Sequence, residues 1–198
     1  MSLLSFAVLF IGLLLGLLGL GGGAYFVYNH TSKKPVESVL MELAGELKIN
    51  FYPETEGKPA FASGTYSGRG LTLDLLNEKG YVDKWHPHSR IVVSVDRSVR
   101  DTHIIAVRGR FFSRKLGEVD VDHPRFGDRY VFLSSSPKKG EKVVTKDVAN
   151  WVIALDMPFT LSDGHIVYHQ EKVFEDKKRV KHIVDAMVYI ANMAERVR

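Results

Sequence analysis

FTLSDGHIVYHQEKVFEDKKRVKHIVDAMVYIANMAERV, residues 159–197, decides the fold. It opens on two short apolar runs, Phe159–Leu161 and Ile166–Tyr168, around Ser162-Asp163-Gly164-His165. Asp-Gly between alternating runs is a strong hairpin signal, because both residues adopt positive φ readily. From Glu175 the period lengthens to that of a helix. Val180, Val184, Met187, Ala191 and Ala194 fall on one continuous stripe, with Ile183 and Ile190 beside it. Glu175 and Asp176 sit at the positive end of the helix dipole, Arg196 and Arg198 at the negative end. A hairpin followed by such a helix predicts a long helix lying across an antiparallel sheet.

Further strands are read upstream. Leu71-Thr72-Leu73-Asp74-Leu75 alternates, Ile91–Val95 and His103–Val107 read as a pair around Asp96–Asp101, and Arg129–Leu133 adds another. A short helix is predicted over Asp147–Leu155, with Val148, Trp151, Val152 and Leu155 on one face. Pro35–Ile49 reads as an amphipathic helix with the stripe Val36, Val39, Leu40, Leu43 and Leu47. Phe51–Ser63 is aperiodic and reads as a loop or irregular edge. Trp85-His86-Pro87-His88 reads as a turn, and Ser134-Ser135-Ser136-Pro137 as a strand end followed by a turn. Strands in runs, rather than alternating with helices, indicate α+β.

The charge distribution divides the chain. Its 198 residues carry 27 Lys+Arg and 23 Asp+Glu, a net +4, yet residues 1–32 contain none of them. Leu3–Tyr28 as a helix would extend about 39 Å, beyond the ~30 Å hydrocarbon core. The expectation is one N-terminal transmembrane helix followed by a small antiparallel-sheet domain with a short helix and a long C-terminal helix. The corresponding segments are an anchor at 1–30, a juxtamembrane amphipathic helix at 31–50 and an α+β domain at 51–198. Lys33 and Lys34 follow the span and nothing charged precedes it, which predicts a single-pass protein of the cell membrane with a cytoplasmic C-terminal domain. Gly12, Gly16, Gly19 and Gly23 share one helix face, a surface suited to close packing against the transmembrane helix of another membrane protein. Lys33 and Lys34 are candidates for contact with anionic lipid headgroups.

Gly64-Thr65-Tyr66-Ser67-Gly68-Arg69 precedes the first alternating strand. This G-x-Y-x-G-R segment, followed by Asp128-Arg129-Tyr130-Val131-Phe132, a short helix, an Asp-Gly hairpin and a closing amphipathic helix, resembles membrane-anchored bacterial proteins of no assigned activity. The resemblance spans most of residues 64–198. It implies the order of elements and supplies no catalytic residue.

Candidate chemistry is sparse. The chain has no cysteine, which excludes disulfides, thiolate metal sites and thiol nucleophiles. His86 and His88 flank Pro87 and can face one way on an extended segment, so they are candidate metal ligands, with Asp83 nearby. Asp120, Asp122 and His123, with Asp128, form a second candidate, but they lack the calcium-loop pattern. Gly117–Asp122 alternates acid with apolar, as a charged edge strand does. No nucleophile elbow or phosphate loop is present. Lysines cluster at Lys138, Lys139, Lys142 and Lys146 and again from Lys172 to Lys181. The mild net charge argues against nucleic acid as a partner. No cofactor is implied. The sequence therefore reads as a non-catalytic accessory or assembly subunit of a larger membrane protein complex. The alternatives are a membrane-tethered binding module for a small ligand, lipid headgroup or soluble protein, and a metal-dependent enzyme.

Overall fold

A computed structural model describes residues 37–56, 58–79, 85–95, 104–108, 116–127, 129–171 and 173–196. The packing divides at Ser38/Val39, and the chain from Val39 onward forms one unit. Helix α1 covers residues 37–47. Nine strands follow: β1 Asn50–Tyr52, β2 Phe61–Tyr66, β3 Arg69–Lys79, β4 Trp85–Ser94, β5 Ile104–Arg108, β6 Gly117–Val119, β7 Tyr130–Ser134, β8 Phe159–Ser162 and β9 His165–Gln170. Between β7 and β8 lie α2 (Pro137–Val143) and α3 (Lys146–Leu155), and α4 (Lys177–Arg196) closes the described chain.

All nine strands join one antiparallel sheet in the order β1-β2-β3-β4-β9-β8-β5-β7-β6. Two tight hairpins set its registers. Ser67 (φ 49°) and Gly68 (φ 79°) join β2 to β3, and Asp163 (φ 51°) and Gly164 (φ 76°) join β8 to β9. Positive φ at both central residues is the two-residue turn whose twist matches paired strands. It closes the pairs Tyr66↔Arg69 and Ser162↔His165.

The pleat then sorts the side chains. On one face Ala62, Leu73, Ile91 and Tyr168 are successive cross-strand neighbours, and Ile166, Leu161 and Ile104 form a parallel row. All seven are buried, in one cluster with Leu40, Leu43 and Leu47 of α1, Val148 and Val152 of α3, and the apolar stripe of α4. Each such aliphatic side chain contributes about 1.5–3 kcal/mol on burial. The helices therefore cover this face. Asp176 caps α4, its Oδ1 accepting the Arg179 amide at 3.1 Å, and Thr145 is the N-cap of α3.

The expected fold class is corrected in two respects. A small sheet with one short and one long helix is replaced by a nine-stranded sheet with four helices. Among the described residues no helix is long and apolar enough to cross a membrane. Residues 1–30, to which the sequence assigns the single-pass span, lie outside the described residues.

Local expectations are corrected as well. Ile91–Val95 and the strand after it do not pair: β4 lies between β3 and β9, while β5 lies between β8 and β7. The Asp-Gly hairpin, made about 60 residues later in the chain, inserts between them. Trp85–His88 is strand, paired with Leu76–Lys79. Phe51–Ser63 contributes edge strand β1 and the start of β2. Pro137 opens α2 rather than a turn, since proline suits the first helical position. Trp151 is 37% exposed, while Ala149 takes the expected inward position beside Val148 and Val152.

Candidate functional site

The G-x-Y-x-G-R segment sits where the β2–β3 hairpin meets α4, and each of its fixed residues has a local task. A Cβ on Gly64 would lie 2.9 Å from the Ile49 side chain, so glycine lets the residue following α1 lie against the sheet. The Tyr66 hydroxyl donates to Asp185 Oδ1 at 2.7 Å, and Lys181 Nζ donates to Oδ2 of the same carboxylate at 2.9 Å. Gly68 makes the turn. Arg69 forms a two-point fork onto Glu195, at 2.6 Å to each oxygen, and also donates to Asn192 Oδ1 (2.7 Å) and to the Ser94 carbonyl (3.2 Å). Its side chain is only 11% exposed. Planar guanidinium and carboxylate meeting in this way form the strongest common ion-pair geometry.

The electrostatics follow from these contacts. The hydrogen bond to Asp185, then burial, then the Asp185 charge hold the Tyr66 hydroxyl above the usual 10.0. Asp185 likewise raises Lys181 above 10.5, first by its hydrogen bond and then by its charge. A polar cleft of about 350 Å³ opens beside the clamp, lined by Ser67, Gly68, Arg69, Ser94, Val95, Asn192 and Glu195. Its charges are already matched. An incoming carboxylate or phosphate would have to displace Glu195 from a two-point contact, and the arrangement as it stands holds the hairpin to α4.

A second network fixes the other end of α4. Arg179 donates to the Leu155 carbonyl at 3.0 Å, satisfying the C-terminal end of α3, and to Gln170 Oε1 at 3.2 Å. Lys177 pairs with Glu42 of α1.

The opposite face of the sheet is different. Thr72, Val92, Val167, Thr160, Ile105 and Leu133 are successive neighbours across six strands, from β3 to β7. None of them joins the helix-covered core, and among the described residues no helix lies on this side. Val92, Val167 and Ile105 are half-buried and Leu133 is buried. Toward the β1 edge, Tyr52 and Phe61 stack at 4.5 Å on this same face. Arg90 and Asp74 pair between them and the centre. The middle of the sheet thus carries a narrow line of aliphatic side chains, Val92, Val167 and Ile105, without a helical cover, flanked by Arg90, Ser94, His165, His169 and Ser162.

Of the residues singled out from sequence, His86 and His88 lie two apart on β4, opposite Glu78 and Leu76. His88, in alternation with Arg90 and Val92, lies on the helix-free face. His123 is tied into the fold. Its Nδ1 accepts from the Arg125 amide at 3.2 Å, which leaves Nε2–H to donate to Asn150 Oδ1 at 2.9 Å. Asp120 and Asp122 are exposed in the connection after β6. Among the described residues no three His, Asp or Glu side chains converge as a metal site. Gly12, Gly16, Gly19, Gly23, Lys33 and Lys34 lie outside the described residues.

The fold has a solved counterpart. It resembles the crystal structure of the mycobacterial trehalose monomycolate transport factor A, TtfA, with a TM-score of 0.61 at 6% identity. The match covers 82% of this chain and 96% of that one. At that identity the likeness concerns the fold. No protein-family model matches the chain, and no curated protein sequence matches it.

The helix-free face escaped the sequence reading because one face of a strand cannot be told from the other without knowing where the helices go. A signal was present. Val92, Val167, Ile105 and Val107 occupy alternate positions that a solvated face would give to polar residues.

Proposed function

We propose that this chain is a non-catalytic accessory or assembly component of a larger membrane-associated complex, docking a protein partner on the helix-free face of its sheet. The observation that carries the proposal is the row Val92–Val167–Thr160–Ile105, three aliphatic side chains and a threonine across four adjacent strands on the side away from the helices. Half-buried aliphatic side chains aligned on a sheet face that no described helix covers fit a partner's contact better than a fully solvated face, which alternation would make polar. Tyr66 and Arg69 of the most distinctive motif are engaged with Asp185, Asn192 and Glu195 of α4, which is the chemistry of a rigid scaffold. The structural neighbour is named a transport factor for trehalose monomycolate, and a membrane-associated setting for this chain is our inference from that likeness.

The test is purification of the full chain from native membranes in gentle detergent, comparing Val167→Lys with the unmodified protein. Stoichiometric companions that are lost from Val167→Lys, with thermal unfolding unchanged, support the proposal. A chain that purifies alone, or companions retained by Val167→Lys, contradict it. A second reading, a binding module for a small polar ligand, rests on the cleft beside Arg69. A small molecule co-purifying with a solitary chain favours that alternative.

A further inference from the structure

The lysines of this domain fall into two groups. On α4, Lys177 pairs with Glu42 and Lys181 with Asp185. On α2 and the start of α3, Lys138, Lys139, Lys142 and Lys146 are exposed, and no ion pair to a described residue holds any of them. The acids interspersed with them are Glu141 and Asp147, and Asp147 accepts from the Tyr189 hydroxyl at 3.3 Å.

The same surface carries an anomaly of the core. The outer side of α3 presents Lys146, Asn150, Trp151 and Ala154, while Val148, Ala149 and Val152 face inward. Trp151 is one of three large apolar side chains exposed among the described residues. An outward indole in the same helix layer as exposed lysines that have no ion pair to a described residue suits one environment especially well, the boundary between an anionic headgroup layer and the acyl chains. There the ring lies at headgroup depth and the lysines meet phosphates.

We propose that the α2–α3 surface, with Lys138, Lys139, Lys142, Lys146 and Trp151, is a peripheral contact with an anionic phospholipid bilayer. The complementarity of charge and the exposed indole carry this, and it deepens the membrane-associated part of the function proposed above. The helix layer carries this surface, whereas the apolar row lies on the opposite face of the sheet. One molecule can therefore rest on lipid while its helix-free face meets a protein. Each lysine near an anionic surface strengthens the contact about fivefold, so the four act together and no single one is indispensable.

The experiment uses the full chain carrying Trp85→Phe, which leaves Trp151 as its only tryptophan. The protein is mixed with phosphatidylcholine vesicles with or without phosphatidylglycerol, each made with brominated acyl chains. The expected result is a blue shift and quenching of Trp151 with phosphatidylglycerol vesicles alone. Both should vanish when all four lysines become glutamine, and in ~1 M salt, where the screening length is about 3 Å. The glutamine variant and its parent share residues 1–36, so the difference between them isolates what the lysines contribute. Unchanged thermal unfolding of the glutamine variant shows that its loss is not misfolding. Three results would overturn the proposal: an unshifted Trp151 with anionic vesicles, equal quenching on both vesicle types regardless of the lysines, or protection of Trp151 by native membrane proteins and not by lipid. Each can occur with the Val167→Lys result standing, so the two claims fail separately.

Discussion

Arg69 shows why the G-x-Y-x-G-R segment needs arginine and not simply a positive charge. Its fork reaches both oxygens of Glu195 while the remaining donors take Asn192 and the Ser94 carbonyl, and a lysine cannot reproduce that plane. Arg69→Lys is expected to cost about 2 kcal/mol and Arg69→Ala about 2–3 kcal/mol by denaturant titration. In a double-mutant cycle with Glu195→Ala the two losses should fall well short of additive. Tyr66 gives a pH dependence of definite sign. Its folded value lies above 10.0, so its contribution is complete below that pH and is lost as pH rises through the folded value. Lys181, raised above 10.5, acts in the same direction. Alkaline unfolding should therefore set in above about pH 10, and Asp185→Asn should move the Tyr66 absorbance titration down; an unmoved titration would separate Tyr66 from Asp185. Ser89 is the opposite case. Its hydroxyl is buried and has no hydrogen-bond partner among the described residues. Ser89→Ala should raise stability by about 1 kcal/mol, because a desolvated hydroxyl without a hydrogen bond is a net cost.

Elements with a strong period were legible in the sequence, and those without one were not. The α4 stripe is buried as its spacing predicts, and Asp163-Gly164 makes the turn that its residues favour. Helix α2 was missed because Pro137 and Gly140 are the residues that ordinarily break helices. Both have a positional reason. Pro137 occupies the first turn, and Gly140 lies so close to the sheet that a Cβ there would stand 2.6 Å from Val119 Cγ2 and 3.1 Å from Ser134 Cβ. Gly140→Ala should accordingly destabilise by about 1–3 kcal/mol from overpacking, despite the better helix propensity of alanine. A stabilised variant would show that α2 does not press on β6 and β7 as described. Trp151 was misassigned for a related reason. Periodicity locates a stripe on α3, but Val148, Trp151, Val152 and Leu155 fit it about as well as Val148, Ala149 and Val152, and only the close approach of α3 to α4 favours the small residue.

Topology at the scale of the whole molecule was beyond the sequence, because it depends on pairings between distant segments. β4 and β5 are separated by only 9 residues, from 95 to 103, which invites a local hairpin. The sheet instead places β9 and β8 between them. That insertion brings Val92, Val167, Thr160 and Ile105 into one row and gives the molecule its two unlike faces, one beneath four helices and one without a helix among the described residues. We propose that the second face receives a protein partner, and the decisive experiment places a photo-activatable benzoylphenylalanine at position 167 of the full chain in its native membranes, with one at the exposed position of Met41 on α1 for comparison. One discrete cross-linked protein is expected from position 167 and none from position 41; cross-linking confined to position 41, or none from position 167 in a correctly folded chain, would refute docking on this face.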